Sequence, residues 1–179
     1  MERREAIDLL FHPSEFVPVR VFTDRRYQAF EFEAFTDGTK FRGRVRSAYI
    51  IRSPVKRREE MFRLANYCTN NQAEIFALLK CLEDVHDNLD LFVKTGNGAT
   101  TLKVWSDSKS SLESISNPQT LNAMVHRIQR LVIEFKNKGL DCQIFSVNAH
   151  SGVHGNCGAD ELAQRARKFE GFSIEESFA

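Results

Sequence analysis

The chain has 179 residues, enough for one domain with a proper core and too few for a second of similar size. Hydrophobic residues make up 42% and charged residues 27%, ordinary values for a globular protein and far from those of a disordered or fibrous chain. A formal net charge of +1 gives no vote for nucleic acid from bulk charge, and no apolar stretch is long enough to span a bilayer.

Residues 1–30 contain Pro13 and Pro18 and lack a clear period, so they are expected to form an extended leader. Within them, Ile7-Asp8-Leu9-Leu10-Phe11 is too short and interrupted for a signal core, and the expected location is intracellular, cytoplasm or nucleus. Phe30 to Thr36 alternates cleanly and predicts a strand, which Asp37-Gly38-Thr39 ends with a turn signal. Arg44 to Arg52 and Glu60 to Tyr67 predict two more strands, antiparallel because the connections are short. Lys40 to Arg58 carries eight Lys or Arg residues and no acid. Arg42, Arg44 and Arg46 recur every second residue there, so a strand would point them to one face, either as a solvated surface or as phosphate contacts.

A helix is predicted from Gln72 to about Val85, with Ile75, Phe76, Leu78, Leu79, Leu82 and Val85 as its apolar stripe. Residues 86–101, with Gly96-Asn97-Gly98, form a connection; Leu102 to Ser106 is the fourth strand, and a short helix covers Ser108 to Ile115. Asn117-Pro118 reads as the cap and first turn of a long helix whose stripe is Leu121, Val125, Ile128, Leu131, Val132 and Phe135, ended by Gly139. Asp141 to Val147 is the fifth strand, a last helix runs from about Gly158 to Phe169, and a loose tail follows Gly171. The order implies an α/β fold over residues 31–170: a five-stranded mixed sheet, three antiparallel strands and then two parallel, flanked by helices. Cys68, Cys81, Cys142 and Cys157 form no C-x-x-C pair and are expected as free thiols.

Four acids stand where strands end or helices begin, and each has a plain structural explanation. Asp37 before Gly38 suits a turn, and Glu74 three residues after Asn71 suits a capping box. Asp107 suits an N-cap, and Asp160 suits the first turn of the last helix. Taken together they admit another reading. The carboxyl ends of parallel strands line the crevice of such sheets. Four carboxylates gathered there repel one another unless cations neutralise them. Oxygen-only ligands select Mg²⁺ or Mn²⁺, and two such ions roughly 4 Å apart clamp the attacking and leaving oxygens of a phosphodiester.

F-T-D-G-T at 35–39, T-N-N-Q-A-E at 69–74, W-S-D-S at 105–108 and A-H-S-G-V-H-G-N-C-G-A-D-E-L-A at 149–163 together resemble the ribonuclease H domain, over about Glu31 to Phe169. The surroundings of Asp107 and the lack of a basic extra loop before the long helix are most similar to ribonuclease H domains of non-LTR retrotransposon polyproteins, which implies a reverse transcriptase domain in the parent polyprotein. The resemblance implies that Asp37, Glu74, Asp107 and Asp160 bind two metal ions, Mg²⁺ with Mn²⁺ able to substitute. His150 matches the family's loop histidine, which assists water activation or product departure. Thr69, Asn70, Asn71 and Gln72 match positions that touch the hybrid; Gly38, Thr39, Arg42, Arg44 and Arg46 are counted with them as substrate-binding.

Departures are Cys157, where many members have Glu, Ser146-Val147-Asn148 in place of a Trp-bearing strand end, and Arg44 and Arg46, where small residues are common. The expected activity is endonucleolytic hydrolysis of the RNA strand of an RNA–DNA hybrid, leaving 5′-phosphate and 3′-hydroxyl ends, by a monomer without a membrane partner. The alternative, from another class, is a non-catalytic hybrid-binding or structural domain derived from a retroelement reverse transcriptase.

Overall fold

The strand expected to stop at Thr36 runs on. In the computed structural model, which describes residues 21–23, 32–53, 57–93 and 100–146, it spans Phe32–Phe41 (β2), straight through Asp37-Gly38-Thr39. The chain reverses instead at Arg42-Gly43, whose φ angles are 48° and 74°, with Phe41 paired to Arg44 across the turn. A two-residue hairpin turn with positive φ at both central positions, the type I′ form, uses left-handed backbone that glycine adopts freely and arginine only at a cost. The turn signal at Asp37-Gly38 misled because this glycine serves a close approach, described below.

β2 pairs antiparallel with β3 (Arg44–Arg52), and β3 with β4 (Arg57–Leu64). On its other side β2 pairs parallel with β5 (Thr100–Ser106), and β5 parallel with β6 (Leu140–Ser146). These are the five strands of the expected mixed sheet. A sixth, β1 (Val21–Thr23), lies inside the segment expected to be a leader and pairs parallel with β6, giving the order β1-β6-β5-β2-β3-β4. β4 begins and ends three residues earlier than expected; beyond Leu64, the Cys68 N–H donates to the Ala65 carbonyl at 2.9 Å and turns the chain toward the next helix.

That helix, α1 (Asn70–Asp87), starts earlier than expected because Thr69 caps it. Thr69 Oγ1 accepts from the Gln72 N–H at 3.1 Å, and Gln72 Oε1 accepts from the Thr69 N–H at 2.8 Å. The connection after it contains a short 3₁₀ turn, Leu89–Leu91. α2 (Lys109–Ser116) follows β5. The long helix, α3, spans Ala123–Asn137 and is capped by Asn122, five residues beyond the expected cap. Asn117 is otherwise engaged: its carbonyl accepts from the side chain of the buried Gln129 at 3.1 Å, which also bonds the Ile115 carbonyl at 2.9 Å. Leu121, expected in the buried stripe, therefore precedes the helix and is 75% exposed. Gly139, at φ 86°, ends the helix as expected.

α1 and α3 cover one face of the sheet. Phe32, Ala34, Tyr49 and Ile51 meet Phe76, Leu78 and Leu82 of α1 and Ile128 and Phe135 of α3 there. Each of the larger aliphatic or phenylalanine side chains so buried contributes about 1.5–3 kcal/mol. Alternation sends Phe35 to the opposite face, where Ala48, Ile50, Trp105 and Phe145 form a second cluster. Among the described residues no helix is long and apolar enough to cross a membrane. The expected last helix and the tail lie outside the described residues.

Candidate active site

The parallel register between the two central strands ends at Thr36 and Ser106. The next residue on each is an acid, Asp37 in mid-strand and Asp107 just past the end of β5. The third acid comes from α1, which crosses β2 at Gly38. A Cβ at Gly38 would lie 2.3 Å from the Glu74 nitrogen and 2.4 Å from the Ala73 carbonyl carbon, so only glycine admits the helix at this height. Ser47 Oγ, on the neighbouring strand, donates to the Ala73 carbonyl at 2.6 Å and holds the helix down. As a result, Asp37, Glu74 and Asp107 each bring one carboxylate oxygen to within 4.8 Å of the others.

None of the three performs the structural task that its sequence context suggests. Asp37 makes no turn. The capping box at α1 is Thr69 with Gln72, which places Glu74 beyond it on the buried side of the helix. α2 is capped by Ser108, whose side chain accepts from the Ser111 N–H, so Asp107 is not its cap. The serines and Asn71 lock the frame: Asn71 Oδ1 accepts from the hydroxyls of Ser110 at 3.0 Å and Ser111 at 2.9 Å, joining the starts of α1 and α2.

The electrostatics show what this gathering costs. Glu74 is buried, and its carboxyl is pushed up to about 9, first by burial and then by the charges of Asp37 and Asp107. A bond from the Gly38 N–H pulls the other way without prevailing. Glu74 Oε2 is buried with no hydrogen-bond partner among the described residues. A buried carboxylate oxygen left in this way is destabilising unless something else neutralises it. Three hard oxygen donors at this spacing form a group fit to hold a divalent metal ion.

The other expected site residues are placed as follows. Gly38 is the crossing point of α1, and Thr69 and Gln72 form its cap. Asn70 Oδ1 accepts from the Lys40 N–H at 2.9 Å, so Asn70 and Asn71 both brace neighbouring elements through their carbonyl oxygens. Arg42 lies in the hairpin turn and not on the strand with Arg44 and Arg46, which corrects the expected single row of three. All three arginines nevertheless line one cleft with Thr39 and Phe41. His150 and Asp160 lie outside the described residues. Two residues not singled out from the sequence matter here: Ser47, which gave no signal, and Phe41, whose signal was the continued alternation of Asp37, Thr39 and Phe41.

Compared with protein families, residues 30–168 match RNase H. No curated protein matches the sequence. With most of its length inside that match, and an acidic triad at the end of the central parallel pair, the chain belongs to the RNase H family.

Proposed function

We propose that the chain hydrolyses the RNA strand of RNA–DNA hybrids as an endonuclease with two divalent ions, Mg²⁺ or in its place Mn²⁺. The observation that carries this is the gathering of Asp37, Glu74 and Asp107, each with one carboxylate oxygen within 4.8 Å of the others, around a buried Glu74 whose Oε2 has no hydrogen-bond partner among the described residues, in a member of this family. When bound, the ions supply positive charge to the attacking and leaving oxygens of the phosphodiester. Asp37, Glu74 and Asp107 hold them from the described side, and Asp160 completes the set by its place in the family motif. Glu74, whose carboxyl is raised first by burial and then by the charges of Asp37 and Asp107, would lose its proton on holding a cation. His150 moves a proton at the water or the departing product. Asn70 and Asn71, with their carbonyl oxygens engaged, keep amide N–H groups to donate to the hybrid, where the RNA 2′-hydroxyl is what distinguishes RNA from DNA. Arg42, Arg44 and Arg46 contact phosphates. The products are 5′-phosphate and 3′-hydroxyl ends. The short passage from Ser116 to Ala123, without an inserted basic loop, supports an origin beside a reverse transcriptase in a non-LTR retrotransposon polyprotein.

The test incubates the chain with labelled hybrid, single-stranded RNA and duplex DNA, in Mg²⁺ or EDTA. Only the RNA of the hybrid is cut, EDTA abolishes it, and Asp107→Asn abolishes it with unchanged circular dichroism. His150→Ala slows cleavage by about 10²–10⁴-fold without ending it, the usual range for a lost proton-transfer group. Cutting in EDTA, or wild-type turnover by Asp107→Asn, refutes the proposal.

A further inference from the structure

The strand that carries Asp37 continues past it for four residues to the hairpin tip. Alternation puts Asp37, Thr39 and Phe41 on one face, and the register puts their partners Ala48, Arg46 and Arg44 on that face beside them. The carboxylate site therefore opens onto a track of paired side chains: Thr39 beside Arg46, then Phe41 beside Arg44. Thr39, Phe41 and the three arginines line a cleft of about 360 Å³. Arg63 on β4 lies opposite Arg46 and extends the basic row. Phe41 closes the track. It is 57% exposed, and the Arg42 guanidinium lies over its ring at 5.2 Å.

We propose that this face of the β2–β3 hairpin binds unpaired nucleic acid flanking the hybrid, with Phe41 stacking one of its bases and the arginines contacting its phosphates. This rests on the hybrid-cleavage reading above and adds to it a substrate with a single-stranded extension. Arginines spaced along the track suit a phosphate backbone, and no acid between Gly38 and Arg58 dilutes their charge. An aromatic ring beside a guanidinium plane offers a π surface that an unstacked base can cover, whereas an intact duplex presents base edges and phosphates. The reach is suitable. Four residues of strand cover about 13 Å, which corresponds to about four base steps at 3.4 Å each. Phe41 thus meets a base about four steps from the bond held at Asp37.

The experiment titrates the chain with fluorescent blunt hybrid and with the same hybrid bearing a single-stranded extension on either strand, by anisotropy in Ca²⁺ to suppress cleavage. The wild type binds one of the extended hybrids about tenfold more tightly than the blunt one, the size of one base–aromatic stack. Phe41→Ala removes that preference, and Phe41→Trp restores it. Equal binding of blunt and extended hybrids by the wild type overturns the proposal. So does a preference that survives Phe41→Ala, or an equal loss on both substrates, which would mark Phe41 as structural or as a contact for the paired hybrid. Cleavage of the blunt hybrid by the wild type in Mg²⁺ tests the nuclease reading separately: lost cleavage with a retained preference leaves the stacking site standing.

Discussion

Gly38→Ala isolates the contact on which the triad depends. No left-handed backbone is involved at Gly38, so the added methyl group acts through space alone. Its Cβ would stand 2.3 Å from the Glu74 nitrogen and 2.7 Å from the Glu74 Cα, both backbone atoms that cannot rotate away. Ordinary contact lies at about 3.5 Å, so α1 must withdraw from β2 by about 1 Å. Overpacking of this kind costs about 1–3 kcal/mol. Withdrawal also stretches the Ser47–Ala73 bond, now 2.6 Å, and the Gly38–Glu74 bond. Each buried hydrogen bond lost adds about 1 kcal/mol, for a total of about 3–5 kcal/mol. Urea denaturation in EDTA measures the loss, and Mg²⁺ titration reads the displaced Glu74 as weakened binding. Gly43→Ala is the control: its Cβ meets nothing within 4 Å, but φ is 74°, so it costs only the left-handed penalty of about 1–2 kcal/mol. If Gly38→Ala is no more destabilising than Gly43→Ala and binds Mg²⁺ normally, the close crossing of α1 does not set the site.

Three further results are expected. In EDTA, folded Glu74 keeps its proton to about 9 against an ordinary value of 4.5, so the folded chain binds the extra proton between them. Stability is then full below about pH 4.5 and falls as pH rises toward 9; Glu74→Gln removes this decline, and equal pH slopes in denaturation experiments refute the assignment. Asp84→Asn disrupts a network in which Asp84 accepts from Arg58 Nε at 2.8 Å, the Tyr49 hydroxyl at 3.1 Å and Asn88 Nδ2 at 2.9 Å. It destabilises by about 2–3 kcal/mol, and a loss below about 0.5 kcal/mol in urea shows the network to be inert. Replacing Arg42, Arg44 and Arg46 with Gln lowers the slope of log affinity against log salt by about one unit per lost phosphate contact, measured in Ca²⁺; an unchanged slope returns them to a solvated surface.

Much of this architecture was legible in the sequence where a signal had one meaning. The stripe from Ile75 to Val85 defined α1, and Arg44–Arg52 was found to the residue. Errors arose where a residue had two uses. Gly38 after an acid has the local form of a turn, yet its value here is the absence of a Cβ, a fact about a helix 36 residues further on. T-N-N-Q-A-E contains two overlapping boxes, Thr69 with Gln72 and Asn71 with Glu74; packing against β2 selects the first and turns Glu74 inward. Asn117-Pro118 and Asn122 are both sound caps, and only the Gln129 bonds across to α2 distinguish them. The meeting of Asp37, Glu74 and Asp107 has no local signature. Periodicity placed Glu74 on its helix and Asp107 at the end of its strand but set Asp37 in a turn where the strand runs on, and the motif resemblance brought the three together.

β1 has a practical consequence for anyone dissecting the chain. The family match opens at residue 30, whereas the sheet already includes Val21, Phe22 and Thr23, paired with Ile144, Phe145 and Ser146. A fragment cut at the match would bare the outer edge of β6, with its N–H and C=O groups turned toward any passing strand. Open edges of this sort promote association and aggregation between chains. A well-behaved fragment therefore begins before Val21.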